Sequence, residues 1–480
     1  MLGLMLCFVV AAVPVVDANG NTDYRGEAAP FVPVDSPPGW TDDSLVSLDD
    51  TKESIHPQMC IDAQDRLHVV WKDNRRLNGR DEIHYRMRDE SGWSELFCVS
   101  DLDTSSNSPD VSVSADGDVH VCFQRWYGAP YAAYDLEYRR KDGVTGNWDE
   151  LVRLTERESL GLSTYPKTVV AGDSVFVFWQ NERAVPPEIW YVYNNGSGWS
   201  ERIALAKNDA RPAGYYAVHA TPDGWIHAVW QDFRDGDAQL WHRVHDGDSW
   251  STEELVTEHG YACTQPGMTT DSAGNLHLGY SGGSPGGRLH YRIWDRATRT
   301  WGAATQFYSW SGNPNPRIAV NHATGERHLA HVGNDGSWCL AYKRYDPVQQ
   351  AWTDSLKLTY MGVTTGPGEM VLDGNGYVHM VFYDYRMHGN EEIFYKNNTL
   401  TSAVEEPGAG PARHRALVVP SVSAGKVRLL GDEAAEVYDA HGARVRVLEP
   451  GGNDLGRLAE GVYFVRTAED GRRQKLVVRR

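Results

Sequence analysis

An aspartate followed two residues later by an arginine recurs along this 480-residue chain. The copies are Asp73-Asn-Arg75, Asp232-Phe-Arg234 and Asp384-Tyr-Arg386, with Asn181-Glu-Arg183 as a variant. A carboxylate and a guanidinium at this spacing suit charge-assisted hydrogen bonds, and they could hold a sugar carboxylate while the aspartate acts as acid or base. A reaction needs one asymmetric site, however, so a motif that recurs by internal symmetry favours a structural role. The six residues of the three copies remain catalytic candidates, with the structural interpretation preferred.

Places where this symmetry breaks are better candidates for ligand binding. Between the copies at Asp73 and Asn181, the place of the motif is taken by Gln124-Arg125-Trp126-Tyr127. Other predicted loops add aromatic, amide and guanidinium groups. Aromatic rings stack on the C–H faces of sugars, while forked donors hold hydroxyls or carboxylates. The alternative is ordinary loop packing. The residues predicted to bind a ligand are His56, Arg125, Trp126, Tyr165, Tyr216, Asn313 and Arg317.

Six histidines share the pattern His-x-x-aromatic or a close variant of it: His68, His120, His227, His277, His328 and His379. No repeat holds more than one of them, so they lie far apart around a ring of repeats and cannot converge on one ion. The chain also lacks the Cys-x-x-Cys pairs of zinc sites. We therefore predict that these histidines pack and form hydrogen bonds between strands, and we predict neither a metal nor a cofactor.

Tryptophans set the period of the repeat. Seven of them are spaced 51 to 55 residues apart: Trp40, Trp93, Trp148, Trp199, Trp250, Trp301 and Trp352. Each repeat holds four stretches of alternating apolar and polar residues, separated by turns rich in Gly, Asp and Asn. Four antiparallel strands per repeat of this length are typical of a β-propeller blade.

The two ends of the repeat series complement each other. The series begins at Trp40 with a lone outer strand and ends near Asn398 after only three strands of the last repeat. Closure into a ring would protect the exposed edges of the sheets. The sequence therefore predicts an all-β, seven-bladed propeller over residues 40–398, in which residues 40–48 supply the outer strand of the last blade.

One repeat motif carries a family resemblance. The segment Asp271-Ser-Ala-Gly274-Asn-Leu-His277-Leu-Gly-Tyr280, together with the Asp-x-Arg and Glu-Ile-x-Tyr motifs, resembles the sialidase-like propellers with bacterial neuraminidase repeats. The resemblance covers nearly all of residues 40–398. The chain lacks the Ser-x-Asp-x-Gly-x-x-Trp boxes and the early Phe/Tyr-Arg-Ile-Pro segment of true sialidases, which are usually six-bladed. The resemblance therefore implies the fold of this chain and not the reaction that sialidases catalyse.

A second, smaller β-domain is predicted after a linker at residues 399–415. Residues 416–480 contain five or more short strands, which suit a small immunoglobulin-like sandwich. Its segments Val437-Tyr-Asp-Ala-His-Gly442, Leu458-Ala-Glu-Gly461-Val-Tyr-Phe-Val-Arg466 and Lys475-Leu-Val-Val-Arg479 resemble the type A C-terminal sorting domain of type IX secretion. That resemblance implies the secretion machinery as a partner. The alternative is an accessory structural sandwich.

The start of the chain and its charge limit location and partners. Residues 1–16 form a short apolar run, which predicts a secretory signal peptide over residues 1–18 rather than a membrane span, followed by a linker at residues 19–39. The formal net charge of −19 disfavours nucleic acid as a partner. We expect the protein to be secreted or held on the outer cell surface.

Two classes of function are consistent with these features. The first is a propeller that binds a glycan, a polysaccharide or another extracellular ligand. The second is a carbohydrate-active enzyme, either an exo-sialidase-like glycoside hydrolase or a uronic polysaccharide lyase, for which His56, Tyr165 and Arg125 could act together. A structural surface-layer protein without a discrete ligand is the third alternative. The sequence does not decide whether the protein is an enzyme.

Overall fold

The computed structural model describes most of residues 36–399 and only parts of the two ends. The described ranges are 36–48, 52–75, 80–100, 104–128, 133–155, 162–182, 188–206, 213–234, 236–283, 287–307, 314–334, 338–359, 364–387 and 390–399, with strand segments before and after them. Every regular element among these residues is a β-strand. The chain divides into two compact units, Met1–Thr399 and Leu400–Arg480.

Seven antiparallel sheets, here called blades 1 to 7, form the propeller within the first unit. Each is named below by its strands in order from the first.
Blade 1 consists of Ser54–Ile61, Leu67–Asp73, Glu82–Asp89, Gly92–Trp93 and Phe97–Cys98.
Blade 2 consists of Ser106–Val113, Val119–Tyr127, Ala133–Lys141 and Val152–Arg153.
Blade 3 consists of Ser163–Ala171, Ser174–Asn181, Glu188–Asn194 and Ile203–Ala204.
Blade 4 consists of Ala213–Ala220, Ile226–Asp232, Gln239–His245 and Glu254–Leu255.

The last three blades repeat the same order.
Blade 5 consists of Cys263–Thr270, Leu276–Gly282, Arg288–Asp295, Thr300–Trp301 and Thr305–Phe307.
Blade 6 consists of Arg317–Val320, Arg327–Asn334, Trp338–Asp346, Ala351–Trp352 and Leu356–Lys357.
Blade 7 consists of Thr364–Leu372, Val378–Met387, Asn390–Asn397 and Ser44–Leu45.
The first strands of successive blades contact one another, and that of blade 7 contacts that of blade 1. The predicted seven-bladed propeller is confirmed.

An N-terminal strand completes blade 7, as predicted from the ends of the repeat series. Ser44 pairs with Tyr395 and Leu45 with Phe394. The amide of Thr41 donates to the carbonyl of Asn397 at 2.8 Å. Trp40 is buried in the same apolar cluster as Phe394. The first ribbon of the propeller therefore closes the last sheet, and no strand edge of blade 7 is left unpaired at that point.

The periodic tryptophans join neighbouring blades. Each packs against an aromatic residue on the third strand of the preceding blade: Trp93 on Tyr395, Trp148 on Tyr85, Trp199 on Tyr138, Trp250 on Tyr191, Trp301 on His242, Trp352 on Tyr291 and Trp40 on Tyr342. The ring centroids lie 4.9 to 5.9 Å apart, and the planes are steeply inclined, which is the edge-to-face geometry that aromatic pairs favour. Seven such contacts cross all seven blade boundaries.

The same aromatic residues receive the periodic histidines. The Nδ1 atoms of His68, His120, His277, His328 and His379 lie within 2.8 Å of a tyrosine hydroxyl on the adjacent strand. In blade 4 the partner is another histidine, with His227 Nδ1 3.0 Å from His242 Nε2. The predicted bonds between strands are confirmed in these blades. Among the described residues no three His, Cys, Asp or Glu side chains form a group suited to a metal ion.

Little of the second unit is described. Its strands form one sheet of three, Val418–Val419, Lys426–Leu429 and Gly451–Asp454, and one of five, Val422–Ser423, Arg473–Val478, Gly461–Thr467, Ala435–Tyr438 and Arg444–Leu448. Val437, Leu448 and Val465 are fully buried. Near the start of the chain Val13–Val16 pairs with Thr22–Arg25. No helix in the described part of the chain is long and apolar enough to cross a membrane. The immunoglobulin-like topology and the signal peptide stay predictions.

Candidate functional site: the central channel and its mouth

The first strands of the seven blades surround a central channel with a cavity of about 1430 Å³. Each first strand begins beside the end of the second strand of its blade, as in the pairing of Ser54 with Asp73. We call the end of the channel where the first strands begin the mouth. Residues that line it include His56, Tyr165, Tyr215 and Phe233. The fold and this channel together define the class: a seven-bladed β-propeller with an aromatic mouth.

A bulge shapes the mouth in nearly every blade. Six residues at equivalent positions have left-handed backbone conformations, with φ between 33° and 56°: His56, Ser108, Tyr165, Tyr215, Gln265 and Asn315. In five of the six blades the pairing register shifts at this point, as expected for an extra residue in the strand. A proline follows the left-handed residue in every one of these blades except blade 4, where Tyr216 stands instead. Blade 4 therefore differs from the others at the mouth.

Three aromatic side chains at the mouth face solvent. Tyr165 is 56% exposed, Tyr215 63% and Phe233 36%. No other Phe, Tyr or Trp side chain in the described ranges is exposed by 36% or more, and all three of these line the channel. They come from two neighbouring blades, because Tyr165 belongs to blade 3 and the other two to blade 4 or the loop after its second strand. Such a surface can stack on an apolar face of a ligand.

The neighbouring blades fix the backbone of Tyr165 from both sides. Its amide donates to Gln124 Oε1 of blade 2 at 3.1 Å, and its carbonyl accepts from the Tyr216 hydroxyl of blade 4 at 2.6 Å. Burial raises the pKa of Tyr216 well above its ordinary value, so this hydroxyl stays protonated and can donate. The exposed Tyr165 ring thus sits on a backbone that is hydrogen-bonded to two other blades.

A belt of side chains lies one step deeper in the channel. We call belt residues the ones that follow the mouth bulge on each first strand: Gln58, Asp110, Lys167, Ala217, Gly267, Arg317 and Glu369. The positions are equivalent, since all seven pair with the same position of the second strand, for instance Gln58 with Val70, Asp110 with Cys122 and Glu369 with Val381. Symmetric positions thus carry two acids, two bases, an amide and two small residues, so the belt is chemically asymmetric.

Two ion pairs dominate the belt. Lys167 Nζ lies 2.8 Å from both Asp110 Oδ1 and Gln58 Oε1, which links blades 1, 2 and 3. Across the boundary of blades 6 and 7, Arg317 Nε lies 3.6 Å from Glu369 Oε2. Arg317 is also held by the carbonyl of Gly368 at 2.7 Å and by Asn315 Oδ1 at 2.9 Å. Each cation of the belt therefore has a carboxylate beside it.

Asp110 is the most buried of the four charged belt residues. Its Oδ2 accepts from the amide of Thr168 at 2.7 Å, in addition to the Lys167 contact. Burial raises the pKa of Asp110, and the opposing effects of Lys167, the Thr168 amide and Arg317 do not cancel that increase. An acid with a raised pKa inside a cavity is a feature often found at functional sites.

Of the residues predicted to bind a ligand, four line the channel: His56, Tyr165, Tyr216 and Arg317. His56 is exposed at the mouth, with Nδ1 3.4 Å from Asn107 Oδ1 and its ring edge-on to Tyr383, and desolvation by the surrounding protein lowers its pKa. Arg125 and Trp126 do not line the channel. Arg125 is buried and donates to Thr104 Oγ1 at 3.0 Å, while Trp126 packs edge-on against Tyr134. Asn313 lies outside the described residues.

The Asp-x-Arg motif of blade 1 forms a buried pair within the blade. Asp73 is fully buried and accepts from the amide and Nε of Arg75 at 2.9 and 2.8 Å, from Ser54 Oγ at 2.9 Å and from Trp71 Nε1 at 3.2 Å. Burial by itself would raise the pKa of Asp73. The charges of Arg75 and His84 and the hydrogen bonds outweigh it and hold the pKa well below its ordinary value. Donors from blade 1 and from the loop after its second strand therefore supply the hydrogen bonds to this carboxylate.

The copy in blade 4 has the same geometry. Arg234 lies 2.5 Å from Asp232 Oδ2, also pairs with Glu253, and stacks over Trp241 with its guanidinium 4.2 Å from the ring centroid. In blade 7 Asp384 is buried, while the side chain of Arg386, like Arg183, falls outside the described residues. None of Asp73, Arg75, Asp232 and Arg234 lines the channel. Their contacts correspond to the structural interpretation of the motif.

Blade 2 brings a tyrosine and a glutamate together where the motif is absent. The Tyr127 hydroxyl donates to Glu137, and Arg153 stacks over the Tyr127 ring at 4.2 Å while pairing with Asp135. Burial and the neighbouring Glu137 raise the pKa of Tyr127 to about 12. A phenol with so high a pKa is a poor nucleophile near neutral pH, and neither residue lines the channel. This contact joins the second and third strands of blade 2.

The belt residues Gln58, Asp110, Lys167 and Glu369 were missed by sequence reasoning. They lie on strands with ordinary alternating patterns, so no single stretch distinguishes them. A signal was nevertheless present, because the X-Pro dipeptide at the bulge recurs in six repeats and the residue after it varies among acid, base, amide and small types. Alignment of the repeats on that dipeptide would have shown that equivalent positions carry residues of different chemical type.

No family model and no curated protein sequence matches this chain. Among solved structures, it is similar to a protein of unknown function from Dyadobacter fermentans, with a TM-score of 0.49 and 12% identity over 75% of this chain and 99% of that one. An α-L-arabinofuranosidase of Fusarium graminearum has a TM-score of 0.47 and 10% identity over 65% of this chain and 99% of that one. An α-L-arabinanase of Penicillium chrysogenum has a TM-score of 0.45 and 14% identity over 63% and 93%. At these values the similarities carry no argument about function.

Proposed function

We propose that this protein is a secreted or cell-surface propeller that binds an extracellular glycan at the mouth of its channel. The observation that carries the proposal is the position of Tyr165, Tyr215 and Phe233. These are the exposed Phe, Tyr and Trp side chains of the described propeller, and all three line one cavity. Exposed apolar side chains that cluster in one groove are typical of an interaction site, and stacking on a sugar ring is an interaction that such rings can make.

Polar groups beside these rings supply the directional contacts that a sugar requires. Gln180, Glu182 and Gln231 also line the cavity near the mouth. Thr164 Oγ1 donates to Glu182 Oε1 at 3.0 Å, and Thr264 Oγ1 donates to Gln231 Oε1 at 2.8 Å, so these side chains are held in place by protein groups. Amides and a carboxylate around aromatic faces suit the hydroxyls of a saccharide.

Export forms part of the same proposal. It is supported by the apolar run at residues 1–18 and by the resemblance of residues 416–480 to a type IX sorting domain, which would make the secretion machinery a partner. Expression of the full chain in a host with that machinery, followed by assay of medium and surface fractions, tests this part. Retention in the cytoplasm would contradict it.

The binding part is tested on a glycan array with the full chain. The proposal expects saturable binding to a subset of glycans, and a loss of at least tenfold in affinity for Tyr165→Ala and Tyr215→Ala. Val144→Ala is the matched control, because Val144 is 90% exposed on a turn that does not line the channel. Failure to bind any glycan, or equal effects of Tyr165→Ala and Val144→Ala, would contradict the proposal.

A carbohydrate-active enzyme is the second candidate, favoured by one observation. Asp110 and Glu369 are two carboxyl groups in a single cavity, and burial raises the pKa of Asp110. Glycoside hydrolysis uses two carboxyl groups, one of them an acid with a raised pKa. Turnover of chromogenic glycosides by the full chain, abolished by Asp110→Asn, would establish this activity, whereas binding without turnover would exclude it for the glycosides tested.

A further inference from the structure

The charges of the belt balance one another. Asp110 and Glu369 supply two negative charges, and Lys167 and Arg317 supply two positive ones. Each cation lies beside a carboxylate, at 2.8 Å in one pair and 3.6 Å in the other. The belt therefore offers no unpaired cation to an incoming anion in the described channel. A sugar carboxylate that approached either cation would also meet the carboxylate that the cation already contacts.

A hydroxyl group fits such pairs better than an anion does. It donates one hydrogen bond and accepts others, so one hydroxyl can donate to a carboxylate and accept from the ammonium or guanidinium beside it. Two hydroxyls on adjacent carbons can bridge a whole ion pair. Gln58 Oε1, which accepts from Lys167 at 2.8 Å, extends the first pair by an amide that can both donate and accept.

Between the Asp110–Lys167 pair and the Arg317–Glu369 pair, one side of the belt has no polar side chains. Blades 4 and 5 contribute Ala217 and Gly267, which carry no polar side chain. At Gly267 even a Cβ atom would lie 2.1 Å from the carbonyl oxygen of Pro316, so the small residue there is required by the close approach of blade 6. Ala217 follows Tyr215 by two residues on one strand, a rise of roughly 6.6 Å. One sugar residue of a chain spans such a step from the mouth to the belt.

We propose that the belt binds the terminal residue of an uncharged saccharide, with adjacent hydroxyls bridging the Asp110–Lys167 and Arg317–Glu369 pairs. The inference rests on the proposed function and specifies its ligand class. In this arrangement the mouth aromatics stack on the next residue of the chain. The net charge of −19 also favours an uncharged saccharide over an anionic one, because it repels polyanionic polysaccharides at long range.

The test is isothermal titration of the full chain with matched oligosaccharides. One member of each pair ends in a hexose, and the other ends in the corresponding hexuronic acid with the same linkages. We expect the hexose-terminated member to bind at least tenfold more tightly. Equal or tighter binding of the hexuronate would overturn this inference and leave glycan binding by the mouth intact. Failure of the wild-type chain to bind either member would overturn both.

Substitution of a belt carboxylate gives a sharper result. Glu369→Gln leaves Arg317 without its carboxylate, so we expect hexose affinity to fall at least fivefold and hexuronate affinity to rise, which reverses or abolishes the preference. Glu150→Gln removes one exposed charge away from the channel and should leave the preference unchanged. Thermal unfolding of each variant reports on folding. Loss of binding on Tyr165→Ala together with no change in preference on Glu369→Gln would overturn the role of the belt.

Discussion

The hydroxyl of Tyr216 in blade 4 donates a 2.6 Å hydrogen bond to the main-chain carbonyl of Tyr165 in blade 3. Tyr216 occupies the position that proline holds after the left-handed residue in the other blades with this bulge. Tyr165 has a φ of 50°, a conformation that costs free energy for a non-glycine residue unless its surroundings fix it. Tyr216, which replaces the proline in blade 4, therefore lies beside Tyr165 and Tyr215, the two most exposed tyrosines of the channel.

Tyr216→Phe should weaken glycan binding without unfolding the propeller. Removal of one hydrogen bond costs about 1 kcal/mol, which corresponds to roughly a fivefold loss of affinity if the bond positions the Tyr165 ring. Titration calorimetry measures the affinity, and thermal unfolding measures the fold. Tyr193→Phe is the matched control, because Tyr193 does not line the channel. An unchanged affinity of Tyr216→Phe would show that this bond does not position the ring.

Arg75→Met should lower stability and leave glycan binding unchanged. The substitution removes the guanidinium from the buried Asp73 carboxylate, and loss of one partner of a buried ion pair can cost about 3 kcal/mol. Denaturant unfolding and titration calorimetry on the same variant separate the two effects. A selective loss of binding with unaltered stability would restore a ligand role to the Asp-x-Arg motif.

Stability should fall as the pH is lowered from about 6.5 towards 4. Burial lowers the pKa of His120, His328 and His331 from 6.5 to about 4. Between pH 6.5 and pH 4 these histidines bind more protons in the unfolded chain than in the folded protein. Their contribution to the free energy of unfolding is therefore fully present above pH 6.5 and decreases as the pH falls through this range. The unfolding temperature measured from pH 7.5 to pH 4.5 reports this loss.

His328→Phe provides the control for that pH dependence. Phe176 occupies the equivalent position in blade 3, where its ring lies tilted against Tyr191 with centroids 6.2 Å apart, so an apolar aromatic ring is tolerated there. The variant should show a shallower decline of the unfolding temperature between pH 6.5 and 4.5 than the wild type. An equally steep decline would assign the pH dependence to other groups.

Trp40→Ala should open the closure of the ring. Trp40 packs edge-on against Tyr342 with centroids 5.0 Å apart and shares a cluster with Phe394. Truncation of a buried tryptophan costs about 3 to 5 kcal/mol. Hydrogen exchange should accelerate at Ile393 and Asn397, whose amides donate to Ser47 Oγ and Thr41 Oγ1 of the N-terminal segment, while Trp126→Ala should leave those amides protected. Equal protection in both variants would contradict closure by this strand.

The sequence predicted the fold well because the fold depends on repetition. The spacing of Trp40 and its six counterparts reflects one contact made at every blade boundary, so seven copies of a weak local signal reinforced one another. The phase of the ends, Trp40 against Asn398, predicted the closing strand for the same reason. Strand pairing in each blade then follows from short connections.

The site was predicted less completely because it depends on differences between repeats. His56, Tyr165, Tyr216 and Arg317 were found as unusual residues in loops, whereas Asp110 and Lys167 lie on a regular strand and acquire meaning only when seven strands converge. Arg125 looked like a symmetry-breaking ligand group, but its guanidinium is buried against Thr104. Whether a side chain points into the channel or into a blade depends on the bulge, and its φ angles are not evident from residue types.

A crystal structure of the full chain with a bound hexose-terminated oligosaccharide would test the central claim most directly. We predict a sugar ring stacked on Tyr165 or Tyr215 and a terminal residue with hydroxyls within hydrogen-bond distance of Asp110 and Lys167. A saccharide bound on the outer surface of the blades or on residues 400–480, with nothing in the channel, would contradict it.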